Sequence, residues 1–173
     1  MIVKTSWTSR VFDFNFPVGH FPAIYVRLLG TPARIDDLVK NCFESHFEFK
    51  PDGRWSVKEH IGHLVDLEDL HEGRLLDYKN KATLLRAADM TNKKTNEANH
   101  NSYPVARLMS DFWKSRNHFL KRLKSFNESE LIQSSVHPRL NVKMRLVDMA
   151  SFVADHDDHH LICMIEALVK AKK

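Results

Sequence analysis

The chain holds few of the residues that bend or cross-link a polypeptide: five glycines, six prolines and two cysteines among 173 residues. An all-β fold needs a turn every ten residues or so, so the scarcity of glycine and proline points to a helical protein. Cys42 and Cys163 lie far apart, which does not suit a disulfide framework. The opening stretch "MIVKTSWTSRVFDF" lacks the apolar run behind a basic start that marks a secretion signal. Together these absences predict a cytoplasmic protein with both thiols reduced. No apolar run approaches the roughly eighteen residues of a membrane span, so no membrane partner is expected. The formal charge is +4, but Lys and Arg are spread along the chain. The only dense patch, the C-terminal "KAKK", fits a solvated helix end, so nucleic acid is not expected as a partner either.

What is present is enough apolar material, 43% of the residues, for the core of one ordinary domain. Start and stop signals mark four long helical segments. The first lies within residues 20–46, where Thr31 reads as an N-cap and Pro32 as the first helical residue. The second starts at "SVKEHIGHLVDLEDL", with Ser56 and Glu59 as a capping box. The third covers about Pro104 to Phe126 and the fourth about Arg145 to Lys170. Residues 80–101 read as a long polar connection, and "NESELIQSSVHPRLNVKM" as a second irregular stretch. The economical packing is an all-α four-helix bundle in a single domain over residues 20–173, preceded by an arm over residues 1–19. Phe12, Phe14 and Phe16 of that arm would fold back on the bundle or pack on a second copy.

The histidines of "HDDHHLICMIEAL" stand out within this frame. At 100° per residue, Met149, Val153, His156, His160, Cys163 and Ala167 form one stripe of the fourth helix. Two histidines therefore sit in the middle of the buried face. Asp148, Asp155, Asp158, His159 and Glu166 fall on the opposite, solvated side. In the second helix His63 shares an arc with Leu67 and Leu70, and Glu59 and Asp66 flank it one turn away. Histidines four apart on one face can aim ring nitrogens at one ion, and a third from another helix completes a set with open positions. The same spacing also fits core histidines hydrogen-bonded to carbonyls. A zinc-protease reading is weaker, because Asp157 rather than Glu follows His156.

The pairing of "WSVKEHIGHL" with the late "HDDHH" resembles the DinB/YfiT-like superfamily of metal-binding four-helix bundles. The segments "FNFPVGHFPAIYVRLLGTPARIDDLV", "ADMTNKKTNEANHN" and "HPRLNVKMRLVDMASFVADHDDHH" extend the likeness over most of the chain. Carried over by residue, the resemblance places metal ligands at His63, His156 and His160, the histidines that helical phase turns inward. It departs at Cys163, where the family often has Gln. That thiol reads as a fourth ligand or as a small core residue.

The resemblance implies a divalent ion, zinc, nickel or iron. It also implies one of three roles, for two of which a small-molecule substrate is expected. In the first, the ion activates a low-molecular-weight thiol such as bacillithiol or mycothiol for transfer to an electrophile, and Arg54, Arg139 and Arg145 hold the thiol's carboxylates. In the second, metal-bound hydroxide serves a hydrolase whose general base is Glu59 or Asp66. In the third, the bundle binds metal without catalysis. A homodimer through bundle helices is also expected from the likeness.

Overall fold

The computed structural model describes residues 4–173. In chain order the elements are α1 (Phe21–Val39), α2 (Glu44–Glu48), α3 (Val57–Lys79), α4 (Lys93–Glu97), α5 (Val105–Leu123), α6 (Glu128–Leu131), the strands β1 (Ser134–His137) and β2 (Val142–Arg145), and α7 (Leu146–Ala171). The long helices α1, α3, α5 and α7 form the four-helix bundle. Helix α3 packs on α5 and α7, and α1 packs on the same two. Successive long helices α1 and α3 therefore stand diagonally, as do α5 and α7. The first diagonal is bridged through α2, the second through α6 and the β1–β2 hairpin.

The capping box at α3 forms as expected. The Glu59 amide donates to Ser56 Oγ at 3.2 Å, and the Ser56 amide donates to Glu59 Oε2 at 2.8 Å. Other expectations need correction. Thr31 and Pro32 do not start a helix, because α1 runs unbroken from Phe21 with Pro32 inside it. An interior proline lacks the N–H that would bond the carbonyl four residues back, here Leu28. The buried Arg116 of α5 supplies the missing donor, with Nη1 3.2 Å from the Leu28 oxygen. The stretch after α5 is ordered as α6 and an antiparallel hairpin in which Ser134 pairs with Arg145 and His137 with Val142. Asp148 is buried rather than solvated, because it accepts the Arg145 amide at 2.8 Å and pairs with its guanidinium at 2.6 Å.

The arm lies on its own bundle. Trp7, Phe12, Phe14 and Phe16 pack against the core, and Arg145 Nη2 donates to the carbonyls of Phe14 and Phe16 at 2.9 Å each. No helix among the described residues is long and apolar enough to cross a membrane.

The core has two apolar clusters with a polar layer between them. One contains Leu28, Leu75, Phe119 and Val153; the other contains Ile35, Leu64, Phe112 and Leu161. Between those pairs of positions each long helix contributes a buried polar side chain: Thr31, Glu68, Arg116 and Asp157. Arg116 bonds Asp157 at 2.5 Å and Glu68 at 2.7 Å, and the Thr31 hydroxyl donates to Asp157 at 2.7 Å. Buried charges persist when they are paired and hydrogen-bonded; the ions of this layer are paired, and Glu68 Oε2 is left without a hydrogen-bond partner among the described residues. It ties all four helices together beside the inward histidines.

Candidate metal centre

Packing of α3 on α7 sets His63 against His156 and His160. One ring nitrogen from each lies within 4.8 Å of the others, and the three side chains are buried or nearly so. The Nε2 atoms of His156 and His160 are 3.1 Å apart. Trp55 covers the group, its ring centroid 4.7 Å from that of His63, and Trp7 of the arm lies 4.9 Å from His156.

The hydrogen bonds around His63 decide which of its nitrogens is free. Its Nδ1 lies 3.0 Å from Thr95 Oγ1, and the Thr95 hydroxyl donates to Asp66 Oδ2 at 2.9 Å. An ionised carboxylate only accepts, so the single hydroxyl proton is committed to Asp66. His63 Nδ1 must then carry the proton donated to Thr95, which leaves Nε2 bare as a ligand atom. Asp66 Oδ2 also lies 2.9 Å from His100 Nε2. Burial alone would raise the Asp66 pKa, but the bonds from His100 and Thr95 hold it below its ordinary range. His60 Nδ1 is 2.8 Å from His160 Nδ1. A proton on that side of His160 leaves its Nε2 bare toward His156.

Burial drives the imidazoles to the neutral form that binds metal. His63 is pushed down to about 4 and His60 to about 3, chiefly by desolvation; His156 and His160 lie well below the usual value for the same reason. His156 Nδ1 has no partner among the described residues. Three neutral imidazoles, converging and two of them backed by hydrogen-bond partners, fit a borderline divalent ion such as zinc, nickel or iron.

The group forms part of the wall of a cavity of about 760 Å³. Around it lie Trp7, Trp55, Leu67, His71, Arg74, Phe152 and Cys163, with residues 87–90 of the long connection and His137 to Arg139 of the hairpin. The two stretches without clear helical period therefore complete the cavity. They are held together by the Leu85 amide donating to Val136 O at 3.0 Å and the Val136 amide donating to Thr83 O at 2.8 Å.

The other residues singled out in the sequence are dispersed. Glu59 is committed to its cap and to Lys50 at 2.7 Å, and Asp66 sits behind His63; neither lines the cavity. Arg54 and Arg139 line it, whereas Arg145 is the clamp on the arm. His159 is half-buried and lines the cavity rather than facing solvent. Cys163 also lines it, with Sγ 3.3 Å from Lys4 Nζ, and lies outside the converging group. Burial pushes its thiol up from the ordinary value. Sequence reasoning missed Thr95, His100, His60 and Arg74. The first two lie in the polar segment "ADMTNKKTNEANHN", and its wealth of hydrogen-bonding side chains was the available signal.

A family model, the DinB superfamily, matches residues 27–164. The solved structure of YfiT from Bacillus subtilis, described as a probable metal-dependent hydrolase with an unusual four-helix bundle topology, superposes with a TM-score of 0.75. The match covers 93% of this chain and 93% of that one at 16% identity, a likeness of fold. No curated protein matches the chain.

Proposed function

The chain belongs to the DinB superfamily, and on that premise we propose that His63, His156 and His160 hold a catalytic zinc, nickel or iron ion used on a low-molecular-weight thiol. The observation that carries this reading is the three-histidine group opening on a large cavity, with no fourth side chain among the described residues in the converging set. A structural site would be closed by a fourth ligand, whereas a catalytic site keeps a position open. A bound ion supplies Lewis acidity, which brings deprotonation of a thiol or of water toward neutral pH.

The protein's own part is to bind, orient and exclude water. Thr95 and Asp66 fix the His63 ring, while Trp7 and Trp55 shield the group on two sides. Glu59 and Asp66 are engaged elsewhere, and of the carboxylates that line the cavity Glu166 is paired with Lys4 at 2.6 Å and Asp89 is bonded to Thr91 and the Lys93 amide, so none stands free to take a proton from water there. That favours thiol transfer over hydrolysis. Hydrolysis is the second reading, supported by the likeness in fold to YfiT, which is described as a probable metal-dependent hydrolase.

Untagged protein is expected to contain about one such ion per chain by elemental analysis. His63→Ala, His156→Ala and His160→Ala should each lose it, and His159→Ala should keep it. Retention by all three would overturn the assignment. With metal content known, thiol-dependent release of halide from an activated aryl halide tests transfer, the sulfur–carbon bond forming as the carbon–halogen bond breaks. Ester hydrolysis that needs no thiol would replace this reading with the second. We also propose that two copies pair through the outer face of α1 and α7, where Ala33, Leu38, Ile162 and Ile165 line an apolar groove.

A further inference from the structure

The cavity extends beyond the histidines toward the hairpin, where its charges lack partners. Arg74 is 3% exposed, yet among the described residues its guanidinium makes one hydrogen bond, from Nε to the Arg86 carbonyl at 3.2 Å, and no ion pair. The acid three residues on, Asp77, is committed to Arg86 at 2.8 Å. Arg139 has a buried Nη2 without a partner among the described residues, and its guanidinium lies 5.8 Å from the Phe152 ring centre. His137 is buried, and its Nδ1 accepts the Leu140 amide at 3.2 Å. The proton of the neutral ring is therefore on Nε2, a donor with no acceptor among the hydrogen bonds of the described residues. All three residues line the same cavity as the metal centre. Burial and repulsion by Arg139 push the Arg74 pKa down to about 10, which leaves it charged at neutral pH.

A buried guanidinium without a carboxylate is costly, and natural proteins keep such a group when something else supplies the charge. We propose that Arg74, Arg139 and His137 form an oxyanion subsite, which takes the carboxylate or phosphate of a ligand whose reacting end lies at the three histidines. His63 and Arg74 are eleven residues apart on α3, about 16 Å along its axis. The ligand is therefore an extended molecule, anionic at the end remote from the chemistry. Its identity as thiol or electrophile rests on the proposed function; the anion subsite itself does not.

The test is thermal unfolding of the full chain as purified, with metal content measured in parallel. Inorganic phosphate and malonate are titrated separately at constant ionic strength against chloride. A site that binds only the folded state should raise Tm by about 3–5 °C at tenfold excess over Kd. A larger shift with phosphate assigns a phosphorylated ligand, and one with malonate a carboxylate. Arg74→Met and Arg139→Gln should abolish the shift while leaving metal content unchanged. Without anion, Arg74→Met should be at least as stable as the parent, since it removes an unpaired buried charge. A parent Tm that follows chloride alone, or a shift that survives in Arg139→Gln, overturns the subsite. Loss of metal reading with a retained anion shift would overturn the catalytic assignment and spare this one.

Discussion

At the scale of a residue, the centre depends on a hydroxyl group that is not itself a ligand. Thr95 has one proton and gives it to Asp66, so it can meet His63 only as an acceptor. This fixes the His63 tautomer. Thr95→Val keeps the shape and removes both bonds, and groups in this position behind a ligand typically carry a factor of 10–100 in metal affinity. Competition against a chromophoric chelator should show a loss in that range for Thr95→Val and recovery in Thr95→Ser. Unchanged affinity in the valine variant would mean that His63 is oriented by packing alone.

At the scale of an element, α3 carries the ligand on one side of a backbone stripped for close approach. A Cβ built on Gly62 would stand 2.2 Å from the His100 ring, and that ring is held in place by Asp66. Ala normally gains about 1 kcal/mol over Gly inside a helix. Here overpacking, typically about 1–3 kcal/mol, opposes it. Gly62→Ala is therefore expected to destabilise the protein in denaturant unfolding and to weaken metal binding with it; a gain in stability would contradict the packing. The same helix shows what a sequence can and cannot disclose. His63, His156 and His160 were legible because helical phase alone decides which face a side chain takes. Thr95 and His100 were not, because they arrive from a segment without periodicity and meet α3 only in three dimensions. Pro32 misled for the same reason: its place as a helix start is the usual one, and the donor that makes it tolerable inside α1 is Arg116, on another helix. Asp148 shared the polar phase of α7, yet the hairpin brings Arg145 over it and buries both oxygens in an ion pair.

At the scale of the molecule, the polar layer between two apolar clusters links folding to pH. His71 and His137 are buried and are not in the three-histidine group. Desolvation pushes His137 from 6.5 down to about 4, with Arg74 and Arg139 adding repulsion, and holds His71 well below 6.5. In the unfolded chain both take up a proton below about pH 6.5. In the folded chain they do not until far lower pH. The unfolded state therefore binds more protons across that window, and stability is present above pH 6.5 and lost as pH falls toward 4. His137 alone contributes on the order of 1–2 kcal/mol to the loss between pH 7 and 5, and His71 acts in the same direction. Glu68 works the other way, since burial raises it to about 7 despite Arg116, so the folded state holds its proton first and gains stability between about pH 7 and 4.5. One carboxyl opposes several histidines, and His60, His63, His156 and His160 add to the majority when no metal occupies them. Urea unfolding of chelator-treated protein should therefore show a midpoint that falls steadily from pH 7 to pH 5, and addition of metal should raise it more at pH 7 than at pH 5, where protons compete for the same nitrogens. A midpoint that holds level or rises on acidification would mean that these rings are solvated, and the account of a dry, neutral imidazole cluster beside a sealed polar layer would fail with it.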